Sequence, residues 1–336
     1  MKHSAVVCLA LLVALAVPGP GQTGSRPRVV GDAPAPIRLG VDLVVVDAQV
    51  TQEKTRRLVG GLTKDDFVLE EDGRRQEIAH FSQDSPPLSV LLLVDRAGCL
   101  DPFGGEVQAA TRRALEQLKP EDEAAVMAFH DTTELVRPFT RDRDAVLAGL
   151  YAMPGHHEEG EHCFNVALFD AARSMYGAAN PNGRRVIVVL TGLTRGFDCP
   201  GPTSKEALAE VVESGSVVCG LIPKTAGQRV ENGATAGVAG IAGAFGAPTF
   251  SLRRFADETG GDIFEAKPAE LAQAFDDLVR HLRTRYSIGF VSTNTKKDGA
   301  YRALTLDVTP GARKREGKLL VRARRGYYAA RAAAAP

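Results

Sequence analysis

At 336 residues, with 41 basic and 41 acidic side chains in balance, the chain can hold one large α/β domain and a smaller unit. It has no global field to draw it to nucleic acid or to an anionic membrane surface. Hydrophobic residues make up 44% of it and tryptophan is absent, so the core must be mainly aliphatic and an aromatic binding platform is not expected.

The first segment, Met1 to about Gly24, has Lys2 and His3, the apolar run Ala5 to Val17, and then a Pro/Gly-rich break. This is the layout of a signal peptide. The run falls short of the roughly 20 residues of a membrane span, and Cys8 lies inside it rather than after a small-residue cleavage box, which argues against lipoprotein attachment. The expected product is periplasmic or extracellular, without an integral span. Residues 25–38 read as a Pro, Gly and Arg-rich linker.

Leu39 to Val50 alternates as a strand does, Asp72-Gly73 supplies a hairpin turn, and Gln76 to Phe81 follows as another strand. Pro86-Pro87, which cannot donate ladder hydrogen bonds, closes this β unit, residues 39–86. Asp65 and Asp66 are neighbours that would point to opposite faces of a strand, so they read as turn or capping residues rather than an acid/base pair.

From Leu88 the pattern changes to strands alternating with helices, the signature of a mostly parallel sheet covered on both faces. Strands are expected at Leu88 to Val94, Ala124 to Phe129, Thr133 to Phe139, Arg185 to Leu190, Ser216 to Ile222 and Asp262 to Glu265. Helices are expected at Glu106 to Leu118, Arg143 to Tyr151, Val166 to Tyr176, Lys205 to Glu213, Ser251 to Thr259 and Glu270 to Arg285. The third strand follows the second too closely to be parallel to it. The fold class is therefore a three-layer, doubly wound α/β domain with a six-stranded sheet over residues 87–285. Glycines 237, 240, 243 and 246 read as a low-complexity mobile loop. Past Tyr286, strands at Tyr286 to Val291, Tyr301 to Val308 and Lys318 to Ala323 are expected to pair with the N-terminal unit, with Pro310-Gly311 as a turn and residues 329–336 frayed. The basic run Arg313-Lys314-Arg315, with Lys318, Arg322, Arg324 and Arg325, reads as the solvated face or guarded edge of a strand.

The order of elements resembles the von Willebrand factor A family, and the flanks resemble the related proteins of acidobacteria. The matching stretches are Leu62-Thr63-Lys64-Asp65-Asp66-Phe67, Glu71-Asp72-Gly73, Pro87-Leu88-Ser89-Val90 leading to Val94-Asp95, Arg285-Tyr286-Ser287-Ile288-Gly289-Phe290 and Arg325-Gly326-Tyr327-Tyr328. The resemblance implies a protein that works through protein–protein contacts at the carboxyl end of its sheet. There the family holds a divalent cation, usually Mg²⁺, with an Asp-x-Ser-x-Ser loop, a Thr and a second Asp.

This chain keeps little of that ligand set. Asp95 stands at the first position, but Asp95-Arg96-Ala97-Gly98-Cys99 has lost both hydroxyls, Asn165-Val166 replaces Gly-Thr, and Thr191 is followed by Gly192-Leu193 where the family has Asp-Gly. No cofactor is expected. Asp95 is left as the single candidate ligand of a degenerate site, with Asp101 or Asp198 as the carboxylates that could swing in. Arg96, Cys99, His162, Asn165, Thr191 and Thr194 mark the loops expected to contact a protein ligand.

Four cysteines remain after the leader. The fold implied by the resemblance puts Cys99, Cys163 and Cys199 on three loops at the same end, while Cys219 lies in a buried strand. In an oxidising compartment an even count favours disulfides. Cys163–Cys199 is the pairing expected, against the alternative that all four are small apolar fillers. The stretch from His156 to Cys163 invites a zinc reading with Cys99 or Cys199. Yet His157 and His162 are five apart, not four, and Gly160 weakens a helix, so a solvated loop is preferred. Neither a Gly-x-Ser-x-Gly elbow nor a phosphate-cradling Gly-rich loop occurs, and the chain is read as a non-enzymatic binding protein. The alternatives are a structural envelope component and a zinc enzyme built on the His156–Cys163 loop.

Overall fold

The structure, a computed structural model, describes residues 43–153, 161–224 and 249–332, with positions 234, 237, 238 and 241 described singly. The expected leader and linker, the stretch 156–160, and glycines 240, 243 and 246 lie outside the described residues. Four strands come first: β1 (Leu43–Gln52), β2 (Phe67–Glu71), β3 (Arg74–Gln76) and β4 (Ile78–Ser82). The alternating region follows with β5 (Leu88–Asp95), α1 (Gly104–Glu116), β6 (Glu123–Phe129), β7 (Thr133–Thr140), α2 (Arg143–Tyr151) and α3 (Phe164–Ser174). It continues with β8 (Arg184–Leu190), β9 (Arg195–Phe197), α4 (Ser204–Glu213), β10 (Val217–Pro223), β11 (Thr249–Ser251), α5 (Leu252–Thr259), β12 (Ile263–Ala266) and α6 (Leu271–Arg283). The chain closes with β13 (Tyr286–Val291), β14 (Tyr301–Val308), α7 (Pro310–Glu316), β15 (Leu319–Ala323) and β16 (Gly326–Tyr328).

The central sheet has six strands in the order β12-β10-β8-β5-β6-β7. All neighbours are parallel except β6 and β7, as the sequence predicts. The reason lies in β5, whose eight residues are all buried. Because strand side chains alternate, Leu88, Val90, Leu92 and Val94 enter one core with Ala110, Ala114, Phe275 and Leu278 from α1 and α6. Leu91 and Leu93 enter the other with Phe164, Leu168, Phe250 and Phe255. A strand covered on both faces is apolar at nearly every position, and each apolar side chain taken fully from water contributes about 1.5–3 kcal/mol. The chain leaves β5 for β6 on one side and later returns through β8 on the other. Strand order therefore reverses between β5 and β8, and α/β sheets of this type form a crevice at the carboxyl ends of such strands.

The flanking strands pair with each other rather than with the central sheet. β1 is sandwiched between β13 and β15 in the order β15-β1-β13-β4, and β2 pairs with β14 in the order β16-β14-β2-β3. Their shared core holds Val46, Ala48, Val50, Phe67, Tyr286, Ile288 and Phe290. Asp47 joins this unit to the central sheet by a two-pronged ion pair with Arg184, at 2.7 and 3.0 Å.

Three local expectations need correction. The strand foreseen at Gln76 to Phe81 divides at Glu77 into β3 and β4, which belong to different sheets. Arg313-Lys314-Arg315 lies on α7, not on a strand: the Thr309 hydroxyl accepts from Ala312 N, and Pro310 fills the first turn where its missing N–H costs nothing. Residues 329–332 are held, with Ala329 N and Ala332 N donating to Ala300 O and Lys297 O. Asp66 sits on a one-turn 3₁₀ helix and closes a capping box with Thr63, in keeping with the capping role. Asp72 and Gly73 have φ of 49° and 75°, the left-handed pair of a tight hairpin turn.

Candidate functional site

β5 ends in Asp95, whose side chain is wholly buried, at the place where strand order reverses. A carboxylate out of water needs donors on both oxygens. Oδ1 accepts from Ala97 N at 3.1 Å. Oδ2 accepts from the Thr191 hydroxyl at 2.6 Å and from the Cys99 thiol at 3.3 Å, and it lies 2.9 Å from His162 Nδ1. Thr191, the residue after β8, in turn accepts from Leu193 N at 3.1 Å. Gly192 N donates to Cys99 Sγ at 3.1 Å. Burial first, then the neighbouring Asp95 carboxylate, push the Cys99 thiol well above its ordinary pKa.

Three segments thus converge: the turn after β5, the residues before α3, and the turn after β8. The first turn closes because Gly98 adopts φ of 94°, which a side chain would resist, and Asp101 N donates to its carbonyl. The second is fixed by covalency and by ring packing. Cys163 and Cys199 form the expected disulfide, with Cα atoms 5.3 Å apart. His162 stacks on Phe164 at 6.2 Å between centroids, and Phe164 stacks on Phe250 at 4.5 Å. The His162 side chain is 22% exposed, so the cluster opens to solvent through its imidazole.

The remaining residues singled out in the sequence fall in different places. Asn165 lies buried within α3. Its amide donates to Cys199 O and Pro202 O at 2.8 and 2.7 Å and accepts from Cys199 N at 3.0 Å, so it anchors the loop between β9 and α4. The Arg96 amide donates to Phe129 O, and the Thr194 carbonyl accepts from Leu252 N; both residues are half-buried beside the cluster. Asp198 is occupied at the start of α4, where it accepts from the amide and hydroxyl of Ser204. Asp101 is exposed on a 3₁₀ turn. Cys219 lies buried in β10 as a free thiol. The direct approach of His162 to Asp95 escaped the sequence reading, which had only placed that histidine on a neighbouring loop.

A family model described as von Willebrand factor type A domain matches residues 90–195. A search of curated proteins finds no match. Among the solved structures similar in fold is an aerotolerance-related membrane protein from Bacteroides fragilis, 16% identical with a TM-score of 0.41, over 58% of this chain and 98% of that one. Another is the BatB protein from Bacteroides thetaiotaomicron, 16% identical with a TM-score of 0.38, over 57% of this chain and 99% of that one. A von Willebrand factor type A protein from Catenulispora acidiphila is 13% identical with a TM-score of 0.43, over 86% of this chain and 73% of its own.

Proposed function

Because the chain carries a von Willebrand factor type A domain, we propose that it is an exported, non-enzymatic binding protein. The loops around Asp95 take hold of another protein without the help of Mg²⁺. The observation that carries this reading is the convergence of three loop segments on one buried carboxylate, with the residue before α3 tied by the Cys163–Cys199 bridge to the loop before α4. Loops fixed in this way lose little freedom on docking, which lowers the cost of association.

The groups around Asp95 do not fit Mg²⁺. That ion wants near-octahedral oxygen ligands. Here one carboxylate and one hydroxyl face a thiol and an imidazole, and the hydroxyl already donates to the carboxylate. Affinity then rests on shape and ordinary polar pairing along the segments 96–104, 161–165 and 191–203. A thiol kept protonated by burial is a poor nucleophile, which favours binding over catalysis. Export is supported by the leader-like first segment and by a disulfide, which persists in oxidising compartments. Among the described residues, no helix is long and apolar enough to cross a membrane.

The test is photo-crosslinking in cells that make the full chain. A crosslinking side chain at position 96 or 194 is compared with one at position 121, at the amino end of the sheet. Adducts to one partner from 96 and 194 alone, equally strong when Mg²⁺ is withheld, are expected. Adducts from 121 alone, or a requirement for Mg²⁺, would refute the reading.

A further inference from the structure

Two clusters of metal-ligating side chains occur among the described residues, Asp95 with Cys99 and His162, and Glu161 with Cys163 and Cys199. Both sulfurs of the second are consumed by the disulfide, so it offers no thiolate while the bridge stands. The first cluster keeps all its donors. Its oxygen, sulfur and nitrogen lie within 4.8 Å of one another, with Asp95 Oδ2 at 3.3 Å from Cys99 Sγ and 2.9 Å from His162 Nδ1. Around a tetrahedral Zn²⁺ with bonds of about 2.0–2.3 Å, neighbouring donors stand about 3.3–3.7 Å apart. The two spacings from Asp95 Oδ2 fall at or just below the lower end of that range, so the sulfur and the nitrogen need only draw back from that oxygen by a few tenths of an ångström to admit the ion.

We infer that Asp95, Cys99 and His162 form a site for one borderline transition-metal ion of the Zn²⁺ class, where the donor set excludes Mg²⁺. Thiolate and imidazole select such ions, whereas carboxylate, carbonyl and water select Mg²⁺ and Ca²⁺. On binding, the Cys99 thiol gives its proton to solvent, and a metal–sulfur bond replaces its hydrogen bond to Asp95. The two charges of the ion are met by the Asp95 carboxylate and the Cys99 thiolate, so the buried site is neutral overall.

The groups behind the ligands are already placed for this. Ala97 N fixes the far oxygen of Asp95, Gly192 N points at the sulfur, and the Phe164 ring with the neighbouring disulfide holds the imidazole. Such supporting contacts orient ligands and tune the ion. The exposed edge of His162 supplies an entry path.

This inference rests on the reading of these loops as the functional face, but its test needs no partner, so either can fail alone. The full chain with its disulfide intact is titrated with Co²⁺ and with Zn²⁺. One equivalent of Co²⁺ is expected to give thiolate charge-transfer absorption and tetrahedral d–d bands. Zn²⁺ abolishes both, and a large excess of Mg²⁺ does not. Cys99→Ser loses the charge-transfer band, and His162→Gln weakens binding by more than the roughly 10- to 100-fold that a supporting group would cost. Octahedral Co²⁺ without charge transfer, or a band that survives Cys99→Ser, would overturn the inference.

Discussion

Replacing Cys163 and Cys199 together by serine removes a cross-link between residues 36 apart in sequence. On the chain-entropy account, a cross-link withdraws about 2.1 + 1.5R ln n cal/mol/K from the unfolded chain, which for a loop of this length is about 13 cal/mol/K, or about 4 kcal/mol at 25 °C. Each kcal/mol moves the melting midpoint by about 2–4 °C for domains of 150–250 residues, and the folded part here is at least that large, so the lower end applies and a fall of roughly 8 °C is expected. The loss should concentrate at one end of the molecule, because the bridge joins the residue before α3 to the loop before α4. Thermal melts of the oxidised wild type, the double variant, and the wild type with reductant give the comparison. Variant and reduced wild type should melt together, below the oxidised protein. A shift under about 2 °C, or no response of the wild type to reductant, would refute the reasoning, since among the described residues Cys99 and Cys219 are unbridged and the Cys163–Cys199 bond is the one reductant can break.

Asn165→Ala should cost about 1–3 kcal/mol, because it removes three hydrogen bonds from a buried amide to the half-buried backbone of Cys199 and Pro202. Urea denaturation measures it, and a loss below about 1 kcal/mol would show that the amide does not hold the loop. The Tyr327 hydroxyl has its pKa pushed up to about 12, first by burial and then by its hydrogen bond to Glu71. A group whose folded pKa lies above its unfolded value of about 10 holds its full stabilising effect below pH 10 and loses it as pH climbs towards 12. Stability measured from pH 9 to 12 should therefore fall less steeply in Tyr327→Phe than in the wild type, and parallel curves would count against the assignment.

The central sheet is legible in the sequence because β5, β8 and β10 are apolar at nearly every position, a pattern that survives without knowledge of their neighbours. Elements of three residues, such as β9 and β11, carry no periodicity at all. They pair with each other between Arg195–Phe197 and Thr249–Ser251, a contact set by how the crossover connections fold back. α7 is hidden in the sequence for a different reason. Pro310-Gly311 looks like a turn, and a seven-residue helix gives the 3.6-residue repeat no room to declare itself. The cues that could have found it are the capping Thr309 before Pro310 and Gly317 after the last turn, at φ of 85°. The break at Glu77 is invisible for a similar reason, since the alternation continues across it while the partner strand changes.

The site shows the same division between local and distant information. That Ala97, Cys99, Val166 and Gly192 differ from the hydroxyl and carboxylate residues of the family the chain resembles can be read directly, because each stands just after a recognisable strand or in the first turn of a recognisable helix. What fills the space cannot, for His162 meets Asp95 across 67 residues of sequence and Thr191 meets it across 96. Yet physical necessity narrows the answer. Asp95 ends a strand covered on both faces and is fully buried, so a carboxylate there is tolerable only with compensating donors or a cation. On the proposed reading, with no hard ion at this place, the donors have to come from the same three loops. A hydroxyl, a thiol and an imidazole do that without an ion. Two of those three groups also ligate borderline metals. On the reading proposed above, the thiol and the imidazole that stand where Mg²⁺ would need oxygen ligands are therefore the groups that bring borderline-metal chemistry into reach, and the buried carboxylate ties the two together.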